Sequence, residues 1–406
     1  MSEHKCKVCG SAELYKVLDL GSMPNANGLV SKDQMSKVVS YPLVYYWCKN
    51  CTFFQQTELI NRKELFGDDY TYYTGVNPPA VEHFRKLAAE IGKKAERKEF
   101  AVILASNDGT EISLMKEVGG FKKVIGVEPA KNLAKAANEK GLTTINEFFD
   151  EKLGKRIASE YGKADVVIAN NVFAHIPNPR DFLMGMKELI GDSGMISIEV
   201  HWLKSLVENL QIDSLYGEHY FVWDVRAMDT IAESCGLKVS GVDYLPDQQG
   251  GSIRVTLGKR SRSKEIDGFF KQEEGTGLYD LESMKKMQKR ADERKAKFVK
   301  LVKGLKAQGK RVSIWTVPAK IATLLNFCGL SHKEIDCAYD LTEAKIGKYI
   351  PKADILVKSE KQIEQDMPDY LIVGAWNYME FGKQKMEWYV RKGGKLINPL
   401  TCEIYG

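Results

Sequence analysis

"FAVILASNDGTEISLMKEV", residues 100–118, sets the architecture of the middle of the chain. The continuous apolar run from Phe100 to Leu104 reads as a strand buried on both faces. Ser-Asn-Asp-Gly then punctuates it, and apolar residues resume at helical spacing. The same strand, turn and helix order recurs in "KVIGVEPAKNLAKAANEKG" (123–141) and "ADVVIANNVFAHIPNPRDFLMGMKELI" (164–190), and "GMISIEV" (194–200) supplies a fourth strand. Strands alternating with helices at this spacing predict a parallel sheet covered on both faces.

In such sheets a ligand binds outside the carboxyl ends of the strands, and the first strand-to-helix turn is the usual cradle. That places Ser106, Asn107, Asp108 and Gly109 at the cradle, with Gly109 allowing close backbone approach. Glu128 ends the second strand, where a carboxylate can accept both ribose hydroxyls of an adenosine. Asn170 and Asn171 end the third. The geometry suits NAD or S-adenosylmethionine. Because the fingerprint G-x-G-x-x-G is absent and no pyrophosphate site is evident, S-adenosylmethionine is the expected cofactor.

Cys6-x-x-Cys9 and Cys48-x-x-Cys51 account for four of the eight cysteines; Cys235, Cys328, Cys337 and Cys402 stand singly. Each knuckle directs two thiolates at one ion, and the intervening chain can fold back to bring the pairs together. The reading is structural zinc, since four sulfur ligands leave no open coordination position. The aromatic stretch "LFGDDYTYYTGVNPPAVEHF" (65–84) follows, and a boundary falls near residue 75. Domains are therefore expected at 1–74 (zinc), 75–258 (cofactor) and 259–406.

With 406 residues, 44% of them hydrophobic, and a net charge of +5, the chain has material for several cores but no dense basic stripe. No apolar run reaches the roughly 18 residues needed to span a bilayer, so a soluble, cytoplasmic protein without membrane or nucleic-acid partners is expected, with a monomer as the provisional assembly state. The charged helix "MKKMQKRADERKAKFVKLVKGLKAQGK" (284–310) carries an apolar stripe and reads as a solvated link between domains. Beyond it "RVSIWTVPAKIATLLNFCG", "IDCAYDL", "PDYLIVGAWNYMEF" and "GGKLINPL" alternate strand and helix again, predicting a second, smaller α/β domain.

The ordered series "CKVCG", "LDLGSMPNANGLV", "YPLVYYWCKNCTFFQ", "LFGDDYTYYT", "SNDGTEI", "ANNVFAHI", "YGEHYF", "GGSIRV", "IGKYIP" and "PDYLIVGAWNY" resembles the three-domain S-adenosylmethionine-dependent sugar C-methyltransferases, which methylate C3 of dTDP-4-keto-deoxysugars. The resemblance spans nearly the whole chain. It implies an α/β protein with an N-terminal zinc-binding domain, a central class I methyltransferase (Rossmann-like) domain and a smaller C-terminal Rossmann-like domain. It also implies that His219, Tyr216 and Glu218 of "YGEHYF", His175 of "FAHI" and Tyr72 of "YTYY" form the active site. The sequence departs from the family at Ile103 and Ala105 before the cofactor turn, at Gly217 where a histidine is common, and at His201 in "EVHWL".

Carbon becomes nucleophilic once a proton next to a carbonyl is removed, and histidine suits that task because its pKa lies near working pH. His219 is the expected base, assisted by Glu218, with Tyr216 and His175 stabilising the enolate. Lys320, Lys345 and Trp376 are the candidates for holding a nucleotide-sugar substrate. Two other readings differ in class: an O- or N-methyltransferase on a related acceptor, and a zinc-containing nucleic-acid-binding protein.

Overall fold

The computed structural model describes residues 4–65, 70 and 72–406. The zinc domain supplies strands β1 (Leu14–Pro24), β2 (Ser40–Cys48) and β3 (Phe54–Gln56). The middle of the chain supplies β4 (Phe100–Leu104), β5 (Lys123–Val127), β6 (Thr144–Ile145), β7 (Ala164–Asn170), β8 (Ile190–His201), β9 (Phe221–Val222), β10 (Lys238–Leu245) and β11 (Ser252–Gly258). The C-terminal part supplies β12 (Val312–Trp315), β13 (Ala338–Asp340), β14 (Tyr349–Ile350), β15 (Ile355–Ser359), β16 (Tyr370–Val373), β17 (Lys395–Ile397) and β18 (Ile404–Tyr405).

The central sheet has the order β10-β11-β8-β7-β4-β5-β6. From β8 to β6 every pair is parallel, and the apolar runs read from sequence lie buried in it. It is not parallel throughout, because β11 runs antiparallel to both β8 and β10. The reason is length: the "PDQQGG" link between β10 and β11 can close a hairpin, whereas a parallel return needs a crossover of a dozen residues or more.

The C-terminal sheet, ordered β14-β15-β13-β12-β16-β17-β18, is parallel at its centre with antiparallel edges. Its chain runs outward from β12 to β13 and β15, then returns to the far side of β12 as β16. The direction of winding therefore reverses between β12 and β16, where open α/β sheets form a ligand crevice.

The zinc domain is not a separate bead. Its four-stranded sheet is β1-β2-β3-β9, and β9 comes from the segment directly after "YGEHY". Phe53, beside the second knuckle, packs its ring against Phe221 and Trp223 at centroid distances of 5.0 and 4.6 Å. Truncating such a buried aromatic to alanine costs about 3–5 kcal/mol, so this contact ties the knuckle firmly to the middle domain. The helix Leu281–Ala307 keeps its apolar stripe, Met284, Met287, Ala291, Phe298, Val302 and Leu305, buried in a core shared with β1 and the C-terminal sheet. Its Gln288 Oε1 accepts the Asp19 N–H at 2.7 Å.

Candidate active site

The cysteine knuckles converge. Cys6 and Cys51 place their sulfurs 3.5 Å apart, Cys9 and Cys48 3.6 Å apart, and all four lie within 4.8 Å of one another. A tetrahedral zinc with Zn–S near ~2.3 Å requires sulfurs about 3.8 Å apart, so the donor set fits that ion. Thiolates this close repel without a cation between them, and no water or substrate ligand is needed to complete the shell.

At the carboxyl edge of the central sheet the turn after β4 is left-handed at Ala105 (φ 54°), Asn107 (φ 51°) and Gly109 (φ 82°). Asparagine tolerates this region. Glycine is required at 109 by crowding as well: a Cβ there would meet Leu142 Cδ1 at 2.6 Å and Ala137 Cβ at 3.1 Å. Ala105 carries the strain that a glycine would relieve.

Glu128 sits beside this turn, 5% exposed, accepting the N–H of Asn107 at 2.9 Å and of Ala130 at 2.8 Å. Burial raises its pKa, and the two N–H groups oppose that rise. Its remaining lone pairs can take ribose hydroxyls. The side chains of Asn107 and Asp108 face elsewhere than expected. Asn107 accepts the Thr74 N–H and donates to the Tyr72 carbonyl, and Asp108 accepts the Gly75 N–H, so both fasten the segment 72–75 over the turn.

Among the described residues two buried oxygens at this edge, Asn170 Oδ1 and Ser106 Oγ, have no hydrogen-bond partner, and Asn170 Nδ2 is committed to Glu111 at 2.7 Å. Such orphaned polar atoms cost about 1–3 kcal/mol each unless something meets them. A donor-rich ligand such as the amino-acid end of S-adenosylmethionine fits them. Asn171 (φ 54°) accepts from Gln249 Nε2 at 2.8 Å, which ties the β10–β11 turn to the same edge.

The turn 212–219 brings the proton-handling groups together. His219 donates Nδ1–H to the Ser214 carbonyl at 2.6 Å, which leaves Nε2 as the lone-pair nitrogen. Among the described residues Nε2 has no hydrogen-bond partner. The Tyr216 ring lies tilted by 31° against the His219 ring at 3.9 Å, and the His175 ring lies 4.9 Å away. His175, on the 3-10 turn Phe173–His175, donates Nδ1–H to the Glu218 carbonyl at 2.8 Å.

Burial pushes the pKa of His175 down to about 4, and burial together with the His175 ring pushes His219 well below its ordinary value. Both rings are therefore neutral at pH 7. Burial acts the other way on acids: Glu218 is pushed up to about 7, and Tyr216 well above the usual phenol.

Glu218 does not orient His219. Its carboxylate accepts from Asn27 Nδ2 at 2.7 Å, and the Ser214 carbonyl orients the base instead. The backbone of the turn is pinned from the zinc domain, where Tyr45 Oη donates to the His219 carbonyl at 2.5 Å and Gln56 Nε2 to the same oxygen at 2.8 Å. Tyr72 is 46% exposed and close enough to Tyr216 for charges on the two phenols to repel.

The C-terminal candidates Lys320, Lys345 and Trp376 follow β12, β13 and β16 respectively. Lys345 Nζ donates to the Val317 carbonyl at 2.9 Å and contacts Asp340 at 3.2 Å. Lys320 lies over the Trp376 ring at 4.7 Å, its pKa pushed down to about 8 by burial against the pull of Asp213. Trp376 donates its indole N–H to Asp213. Sequence reasoning did not find Asn27, Tyr45, Gln56, Asp213 or the Ser214 carbonyl. "NANG" and "YYWC" carry no chemical pattern that would have marked them.

Comparison with known proteins agrees with this layout. Three family models match in order: a zinc binding domain at 6–66, a methyltransferase domain at 85–241, and the C-methyltransferase C-terminal domain at 247–401. The C-methyltransferase NovU of Streptomyces niveus is 31% identical over 403 residues, covering 98% of this chain and 95% of NovU. Among solved structures, the PH0226 protein of Pyrococcus horikoshii overlaps 50% of this chain and 100% of its own at 15% identity and a TM-score of 0.39. The plantazolicin methyltransferase BpumL, in complex with a desmethyl analogue and SAH, overlaps 45% of this chain and 85% of its own at 10% identity and a TM-score of 0.36. No helix among the described residues is long and apolar enough to cross a membrane.

Proposed function

Because the chain belongs to the C-methyltransferase family and is an S-adenosylmethionine-dependent methyltransferase with a zinc-binding domain, we propose that its acceptor is a carbon next to the 4-keto group of a nucleotide-linked deoxysugar, with His219 as the base. The observation that carries this reading is the Nδ1–H bond from His219 to the Ser214 carbonyl. It fixes a neutral imidazole with Nε2 as acceptor on a buried ring.

S-adenosylmethionine supplies an electrophilic methyl group bound to a sulfonium. His219 Nε2 takes the proton from the carbon beside the carbonyl, and the C–H electron pair delocalises onto the carbonyl oxygen. Tyr216 stands beside the base as the candidate donor to that oxygen, worth about 3 kcal/mol if aimed at it; the neutral His175, expected from the sequence to share this task, has given its single N–H to the Glu218 carbonyl and presents a lone pair instead. The imidazolium and enolate formed together are a neutral pair, which limits the cost of making either charge in a dry site. With S-adenosylmethionine held beside Glu128 and Asn170, the enolate carbon would accept its methyl group while the S–CH3 electron pair stays on sulfur, leaving S-adenosylhomocysteine, and His219 would return its proton to solvent.

For the nucleotide half, Lys320 and Lys345 stand near the carboxyl end of β12, against Trp376 and against Val317 and Asp340, and two cations there support a diphosphate-bearing substrate. Transfer from a 13C-methyl cofactor to a dTDP-4-keto-6-deoxyhexose, followed by NMR of the product, tests the proposal. A methyl carbon signal coupled to ring carbon supports it. A methyl on oxygen, or no transfer to any nucleotide sugar, sinks it.

A further inference from the structure

The turn that holds the base is itself held from the C-terminal domain. Ile212–Ser214 is a single 3-10 turn, too short to be stable by itself. At its start, Gln211 accepts from His201 Nε2 at 2.5 Å and donates to the Gly250 carbonyl at 2.7 Å. At its centre, Asp213 is 1% exposed and takes the indole N–H of Trp376 on Oδ2, while Oδ1 has no partner among the described residues. Lys320 covers the face of the same indole. The next carbonyl along the chain is that of Ser214, which receives the Nδ1–H of His219.

We infer that Trp376 and Asp213 are positioning residues for the base: the indole N–H, brought from the C-terminal domain, sets the Ser214 carbonyl so that His219 presents Nε2 as a lone pair. The inference rests on the reading of His219 as the base. Neither side chain touches the reacting atoms. Their effect passes through one peptide unit, and it joins the site proposed for the nucleotide to the chemistry at the sugar. Binding energy from the remote half of a substrate is used in this way when it appears in kcat as well as KM.

The test uses the full chain with S-adenosylhomocysteine bound and 15N-histidine labelling, together with turnover of a dTDP-4-keto-6-deoxyhexose. Trp376→Phe keeps a ring under Lys320 and removes the donor. The expected result is a fall in kcat of about tenfold with KM changed by less than about threefold. The His219 nitrogen signals should move from the Nδ1–H form to a mixture of tautomers. Asp213→Asn, whose amide oxygen can still accept from the indole, should retain the Nδ1–H signature and most of the turnover. If Trp376→Phe does not fold, Asp213→Ala breaks the same bond from the other side and should give the same shift.

An unchanged kcat and tautomer in these bond-breaking variants, with His219→Asn inactive, overturns the positioning role alone. So does a fall in turnover with the Nδ1–H form intact. An active His219→Asn removes the base assignment first, and the positioning role with it.

Discussion

Asn27 donates to Glu218 across 2.7 Å, joining the loop after β1 to the active-site turn. The bond opposes the effect of burial, which pushes Glu218 up to about 7, so the zinc domain sets the charge of a carboxyl in the middle domain. Glu111, beneath the cofactor edge, is pushed up to about 8 by burial and then by Glu199. Both carboxyls hold protons in the folded chain that the unfolded chain releases near its ordinary pKa.

These two carboxyls therefore make stability fall as pH rises, opposite to His175 and His219, which burial holds neutral and which make stability rise with pH up to the ordinary histidine range. The contribution of each carboxyl is full below about 4.5 and is lost as pH climbs through 7 for Glu218 and 8 for Glu111. For Glu218 the size is on the order of 3 kcal/mol. Melting temperatures of the ligand-free protein at pH 5.5 and 8.5 check this, with Glu218→Gln flattening the slope and Asn27→Ala steepening it. A Glu218→Gln variant whose melting temperature changes with pH just as that of the wild type does contradicts the sign.

Cys48→Ser should release the metal and remove stabilisation on the order of 10 kcal/mol from the N-terminal domain. The structure adds a consequence for the active site. Cys48 ends β2, β2 pairs β3, and Gln56 of β3 holds the His219 carbonyl. Loss of metal should thus lower turnover before the middle domain unfolds. One zinc per chain and full stability in the variant, measured by elemental analysis and calorimetry, would refute the structural assignment.

Features carried by short-range chemistry were legible in the sequence. The paired Cys6/Cys9 and Cys48/Cys51, the strand-turn-helix around Ser106–Gly109, and Glu128 at the end of the next strand each depend on spacing within a few residues. What escaped depends on backbone atoms and distant partners. A carbonyl such as that of Ser214 has no side-chain signature, and Asn27 and Glu218 lie 191 positions apart. Asn107 and Asp108 illustrate a second difficulty. A polar turn at a sheet edge can face a ligand or a neighbouring loop, and these two bind the backbone at 72–75. The antiparallel β11 escaped because its apolar run looks the same whichever way the strand points.

Glu128→Ala should weaken S-adenosylmethionine by about 1–3 kcal/mol through loss of a charge-assisted ribose contact. The variant also strands the N–H groups of Asn107 and Ala130, so part of the loss comes from a disordered turn. Glu128→Gln separates the two effects. Its amide oxygen can keep one N–H bond, and it should bind with an affinity between those of wild type and alanine variant. Calorimetry showing unchanged affinity in Glu128→Ala would place the cofactor elsewhere.

The sharpest prediction concerns His219. Asparagine at this position keeps an amide that can donate to the Ser214 carbonyl but cannot act as a base near neutral pH. Ligand binding should survive in His219→Asn while turnover falls by about 100-fold or more. Tyr216→Phe should cost less, since it removes a donor to the enolate oxygen and leaves the base in place. Solvent exchange gives an independent readout: a dTDP-4-keto-6-deoxyhexose should take up deuterium beside its carbonyl even when the cofactor is replaced by S-adenosylhomocysteine, and that uptake should vanish in His219→Asn. Because exchange needs the base but no methyl transfer, a variant that still exchanges yet fails to methylate would assign proton removal to another group. His175, 4.9 Å from His219 ring to ring, would then be the next residue to replace.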